Sequence, residues 1–130
     1  MYSTGVNAYN QYRTTAVQTA RPGKLLLMLY DGLILSLKQA RQCIEQGVLS
    51  EAHHHLIKAQ DIITELMCTL NMDYEISANL YQLYDYFKRR LVQANIRKDA
   101  RVIDEVLSFV TELRDTWESV IRQGADSLAR

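Results

Sequence analysis

Three adjacent histidines, His53, His54 and His55, carry the most chemical potential in this 130-residue chain, and their spacing to acids and bases limits what they can do. A di-metal centre in a helical bundle needs a Glu on two helices and an inward Glu-x-x-His on two others. Glu51-x-x-His54 is the single such pair here. It lies off the apolar track through Ala52, Leu56 and Ala59, and no histidine occurs outside this run. The sequence therefore assigns no metal and no cofactor. A phosphotransfer histidine would instead be exposed on a helix, with a lysine three residues later to steady the phosphate, and His55 and Lys58 have that spacing. Ala59, however, stands where that pattern has glycine, and it falls on the core track. A histidine phosphotransfer domain using His55 with Lys58 is the alternative reading, set beside three solvated histidines in the opening turns of a helix.

Other chemistries find no residues. No glycine-rich phosphate loop, no Ser or Cys nucleophile beside a histidine base and no inward carboxylate pair is legible, so the chain is expected not to be an enzyme and has no catalytic residues. Cys43 and Cys68 form no C-x-x-C and no disulfide framework. Helical rise puts them ~25 Å apart, which marks them as inert buried thiols in a reducing compartment. Lys88-Arg89-Arg90 with Arg97-Lys98 could form a basic strip. Fifteen basic against fifteen acidic residues leave no overall electrostatic footprint for nucleic acid. The most apolar run, from Leu25, is broken by Asp31-Gly32 and is too short for a membrane span. The N-terminus lacks a signal-peptide pattern, so a cytoplasmic location and no membrane insertion are expected.

The elements that would position these residues are helices. One proline and five glycines leave few breaks, and no strand-like alternation occurs. The periodicity predicts an all-α fold, an antiparallel up-down four-helix bundle over residues 22–124, with helices at about 22–46, 50–70, 73–95 and 99–123. Residues 1–21 read as a mobile N-terminal arm and 125–130 as a C-terminal tail. Pro22 suits a helix start and Gly47 a left-handed stop, while Ser50, Asp73 and Asp99 read as N-caps. The predicted tracks are Leu26, Leu29 or Tyr30, Leu33, Leu37, Ala40 and Ile44 in the first helix, and Ala52, Leu56, Ala59, Ile63, Leu66 and Leu70 in the second. The third carries Ile76, Leu80, Leu83 or Tyr84, Phe87, Leu91 and Ala94. The fourth carries Val102, Val106, Phe109, Leu113, Trp117 and Val120. Residues 73–98 hold five bases and three acids, and residues 99–130 seven acids and four bases, so the last two helices are electrostatically complementary.

The first helix is over-apolar. Beyond its core track it carries Leu25, Leu27, Met28, Ile34 and Leu35, more than one bundle layer covers. Either the bundle or the arm, through Val6, Tyr9 and Tyr12, covers this surplus permanently, or it is a groove for an amphipathic partner that the arm guards. Eight tyrosines against two phenylalanines favour a surface that is covered at one moment and wet at another. With Tyr30 and the third-helix Tyr81 and Tyr84, the candidate groove is Leu27, Met28, Tyr30, Ile34, Leu35, Tyr81 and Tyr84, with Val6, Tyr9 and Tyr12 as its lid.

Five blocks stand out in order along the chain. They are Ala8-Tyr9 in the arm, Leu27-Met28-Leu29-Tyr30-Asp31-Gly32, and Lys58-Ala59-Gln60-Asp61-Ile62-Ile63-x-Glu65-Leu66. Leu83-Tyr84-Asp85-Tyr86-x-x-Arg89-Arg90-Leu91 with Ala94-Asn95 follows, then Asp99, Glu105-Val106 and Glu112-Leu113-Arg114-x-x-Trp117. In order and spacing these blocks resemble the flagellar secretion chaperones specific for flagellin, the FliS family. The chain departs from the family in having Arg21 where Ser or Thr often precedes the proline, and Tyr74-Glu75-Ile76 where many members carry Gly-Gly. The resemblance implies a non-enzymatic cytosolic export chaperone. Such a protein binds the disordered C-terminal segment of flagellin in apolar grooves, prevents premature polymerisation, and helps deliver it to the flagellar type III export apparatus. It also implies that a regulatory flagellin-binding protein or an anti-sigma factor could share the surface.

Overall fold

The computed structural model describes residues 22–129, with side chains described for 23–124. Four helices follow one another: α1 (Pro22–Glu45), α2 (Leu49–Cys68), α3 (Glu75–Arg97) and α4 (Ala100–Ala129). Each packs against its neighbours in the chain, and α4 closes the ring against α1. That is the antiparallel four-helix bundle, with α1 and α3 diagonal to one another. The 1–21 arm, with Val6, Tyr9 and Tyr12, lies outside the described residues.

The turns explain why the helices stop where they do. Gly47 has φ +75°, a conformation that only glycine adopts without strain. Val48 N–H reaches Cys43 carbonyl at 2.8 Å and Gly47 N–H reaches Ile44 at 3.1 Å, the paired bonds of a Schellman stop. The chain then re-enters helix at once, so α2 begins at Leu49, with no side-chain cap from Val48, and Ser50 falls inside its first turn. The α2–α3 turn is organised by Asn71 rather than by a cap from Asp73. Asn71 Oδ1 accepts Asp73 N–H at 3.0 Å, and Asn71 carbonyl accepts the Ser77 hydroxyl at 2.6 Å. Asp99 does cap α4, accepting Arg101 N–H at 2.9 Å. Gly124 does not end α4, which continues to Ala129, so the expected 125–130 tail is helical over most of its length.

The core is one cluster drawn from all four helices, with Leu33, Leu37, Leu56, Ile63, Leu66, Phe87, Leu91, Ile103, Val106 and Val110 essentially inaccessible. Burial of each large side chain contributes roughly 1.5–3 kcal/mol. Three predicted core positions are corrected. Ile76 is 57% exposed, because Ser77 takes the inward place with its hydroxyl satisfied by the turn. In α4 the most buried stripe is Ile103, Val106 and Val110, which shares Val106 with the predicted track; Val102, Leu113 and Trp117 pack beside it on the core, and Phe109 and Val120 are left exposed.

Helix packing sets what glycine does in α1. A Cβ on Gly32 would meet Ile62 Cδ1 of α2 at 3.6 Å, ordinary contact, whereas one on Gly23 would meet the Ile121 side chain of α4 at 3.0 Å. Gly32→Ala is therefore expected to raise the unfolding free energy by about 0.5–1 kcal/mol in urea denaturation. Gly23→Ala loses the same gain to displacement of Ile121 and ends at or below wild type.

Among the described residues, charge complementarity between α3 and α4 is realised at Arg90. Arg90 pairs with Glu105 at 2.7 Å, and the Tyr86 hydroxyl donates to the same carboxylate at 2.5 Å. These donors hold the Glu105 carboxyl below its usual range, the Arg90 bond contributing most. Two further ion pairs tie α4 to α1, Arg114 to Asp31 at 2.9 Å and Arg41 to Asp104.

Candidate functional site

At 100° per residue, Leu27, Asp31 and Ile34 share one shoulder of α1, and Met28, Gly32 and Leu35 the other. Asp31 faces α4 through Arg114, and Gly32 faces α2 through Ile62. The apolar surplus of α1 is thus split between the two grooves that flank it. Leu35 is 54% exposed, Leu27 and Met28 are half-buried, and Ile34 is half-buried against the core cluster.

Leu25 belongs to the same line as Met28 and Leu35, and it leads into an apolar cavity of about 350 Å³ at the end of the bundle where α1 begins. Leu26, Leu70, Ile76, Leu80 and Trp117 help to line it. Its members come from the start of α1, the end of α2, the start of α3 and the later half of α4. Tyr74 and Ile76, at its rim, are 64% and 57% exposed.

The tyrosines divide. Tyr30 and Tyr84 do not form an open surface, as their place in the candidate groove required: they are buried in the core, 0% and 2% exposed. Their hydroxyls share a hydrogen bond at 2.6 Å across the diagonal from α1 to α3, and Trp117 Nε1 of α4 donates to Tyr30 Oη at 3.2 Å. Each phenol is satisfied inside the protein, which is why tyrosine is tolerated there. Tyr84 also forms part of the cavity wall, so this polar tie is the floor beneath the cavity. Tyr81 is 46% exposed on α3, diagonally opposite α1, and shares no groove with Leu27 or Leu35.

Burial pushes both phenols above the ordinary value of 10.0, and in Tyr30 the opposing effect of its bonds to Tyr84 and Trp117 is smaller. A fold that holds the phenols neutral has this stabilisation in full below the unfolded value and loses it as pH rises beyond. Urea denaturation between about pH 8 and pH 11 is expected to show stability from this source falling only above about pH 10, with phenolate absorbance from these two residues appearing together with unfolding.

Among the described residues, the polar candidates show neither a di-metal ligand set nor an open phosphotransfer approach. His53 Nδ1 accepts from Asn95 Nδ2 at 2.9 Å, which directs it toward α3. His54 is exposed, and Ala59, where an approach to His55 and Lys58 would have to open, is fully buried. In the basic strip, Lys88 donates to Thr64 at 2.8 Å, Arg89 pairs with Asp85, and Lys98 donates to Asn95. Neither cysteine is a buried thiol: Cys43 is half-buried and Cys68 exposed. No described helix is long and apolar enough to cross a membrane.

Comparison with known proteins places these features in a family. A family model described as flagellar protein FliS matches residues 5–124. A flagellar secretion chaperone of Bacillus subtilis is 46% identical over 116 residues, covering 89% of this chain and 87% of the relative. One from Salmonella typhimurium is 39% identical over 125 residues, covering 92% and 93%. A crystal structure of a bacterial flagellar chaperone superposes with a TM-score of 0.74 over 92% of this chain and 98% of that one, at 20% identity, and supports the fold.

Proposed function

The chain belongs to the FliS family of flagellar secretion chaperones, which are not enzymes, and from that premise we propose that its client is the C-terminal segment of flagellin. The observation that carries the reading is the apolar surface left on α1, running from the cavity at Leu25 to Leu35 along one shoulder and through Leu27 and Ile34 on the other. A disordered segment with amphipathic helical faces would lay those faces into the two grooves and end in the cavity, burying surfaces that would otherwise polymerise. Tyr81, on the far side, belongs to a client that wraps the bundle rather than to the α1 grooves. The ordering cost of the client keeps the complex reversible enough for hand-over to the export apparatus, and the location that goes with this reading is the cytoplasm. A regulatory flagellin-binding protein or an anti-sigma factor would meet the same exposed surface.

The arm enters α1 at the cavity end, and its 21 residues are long enough to reach any part of that surface. Val6, Tyr9 and Tyr12 would act there as a lid, lowering apparent affinity by the closed fraction. Calorimetric titration with a flagellin C-terminal peptide should show binding with a gain in helicity. Deleting residues 1–18 should tighten it and increase apolar-dye fluorescence. Unchanged affinity and dye signal would remove the lid; no peptide binding by either protein would remove the proposed client.

A further inference from the structure

Cys43 and Glu51 each stand four residues from Gly47, and the tight turn there folds the last turn of α1 back onto the first turns of α2. His55 lies one helical turn beyond Glu51, on the same face. One donor atom from each of these three side chains, the Cys43 sulfur, a Glu51 carboxylate oxygen and a His55 ring nitrogen, lies within 4.8 Å of the other two. We propose that Cys43, Glu51 and His55 form a binding site for a divalent transition-metal ion of zinc's borderline softness, with water as the fourth ligand.

The donor set fits that ion. Thiolate and imidazole favour zinc-like ions over magnesium or calcium, and thiolate plus carboxylate neutralise the double charge. Metal–sulfur and metal–nitrogen bonds of about 2.3 and 2.0 Å put tetrahedral ligands about 3.5 Å apart, so side-chain rotations of about an ångström close the site. The backbone is already in place, because the Cys43 carbonyl is held by Val48 N–H at 2.8 Å in the turn. Cys43 and His55 are half-buried, which gives the ion a partly dry seat, and Glu51 is exposed, which leaves an entry side. His53 faces Asn95 and is not part of the set.

The consequence is a clip across the α1–α2 turn, where α2 starts without a side-chain cap. It lies at the opposite end of α1 from the cavity, ~25 Å away by helical rise. Metal should therefore raise stability without changing affinity for the client peptide. At a metal concentration a hundred times its Kd, the folding equilibrium constant rises about a hundredfold.

The test is titration of the reduced, tag-free full chain with Co²⁺, followed by displacement with Zn²⁺. One Co²⁺ per chain is expected, with tetrahedral visible bands and a thiolate-to-cobalt charge-transfer band. Cys43→Ser should abolish that band and weaken binding at least about tenfold, His55→Ala should weaken it similarly, and Glu51→Gln less. Cys68→Ser, His53→Ala and His54→Ala should leave it unchanged. Far-UV circular dichroism establishes folding of each variant. In the wild-type chain, Zn²⁺ should also slow alkylation of Cys43 but not of Cys68, a readout that needs no variant. Absence of stoichiometric binding, a charge-transfer band that follows Cys68, or affinity that follows His53 and His54 instead of Cys43 and His55 overturns the site.

Discussion

Leu35→Asp is expected to weaken binding of a flagellin C-terminal peptide roughly 30- to 150-fold, about 2–3 kcal/mol, while the melting temperature stays within a few degrees of wild type. Leu35 is the position on α1 where apolar character and exposure coincide most clearly, at 54% of its surface. Burying the remaining apolar area under a client helix contributes about 1 kcal/mol. Placing a carboxylate there instead adds the cost of desolvating it opposite an apolar face. The free protein is affected less, because a side chain already half in water loses only about 1 kcal/mol of burial and helix propensity when it becomes Asp. Ile34→Asp makes the contrast: it packs on the core cluster, so its aspartate should cost stability as well as affinity. Isothermal titration calorimetry and thermal denaturation of the two variants separate the readings. If Leu35→Asp binds the peptide as tightly as wild type, the α1–α2 groove is not where the client lies.

How far the sequence alone reaches can be judged from particular side chains. The helices and the Gly47 turn are legible because their signals are local: a four-three apolar period, a left-handed glycine and a single proline. The face of α4 is not. Val102, Val106, Phe109 and Leu113 make one stripe, and Ile103, Val106 and Val110 make another that shares Val106 and is turned by less than one residue. Both are apolar, and only the neighbours on α1 and α3 select between them. Ser77 buries in preference to Ile76 for a similar reason, since the carbonyl of Asn71 that accepts its hydroxyl is brought there by the turn.

The candidate site shows the same division. The surplus on α1 is visible in composition, and Leu27, Met28, Ile34 and Leu35 do lie on its shoulders. Tyr30 and Tyr84 are 54 positions apart, and nothing local reveals that their hydroxyls meet. A tyrosine excess suggests wettable surface; in these two residues it reflects a polar bond across a diagonal of the core. The cluster of Cys43, Glu51 and His55 escapes sequence reading for the opposite reason. Its spacing about Gly47 is visible, but only once the hairpin is known to close there.

The largest effect on stability is expected at Tyr30. Tyr30→Ala should lower the unfolding free energy by about 4–6 kcal/mol, a large share of the 5–15 kcal/mol typical of a domain. The ring is fully buried, so its removal leaves a cavity, and the buried Tyr84 hydroxyl and the part-buried Trp117 indole N–H lose the partner they share. Tyr30→Phe keeps the volume and isolates the polar part, about 1–3 kcal/mol. Tyr84→Phe should cost less than Tyr30→Phe, because Tyr30 still accepts from Trp117. In the double Phe variant Trp117 alone is orphaned, so its cost should fall below the sum of the singles. Urea denaturation of the four variants gives the cycle. A loss below about 2 kcal/mol for Tyr30→Ala, or strict additivity of the two Phe substitutions, would mean that this layer is open in solution. Tyr30 and Tyr84 would then return to the proposed client surface from which their burial removes them, and the floor of the cavity would be part of what the proposed client displaces.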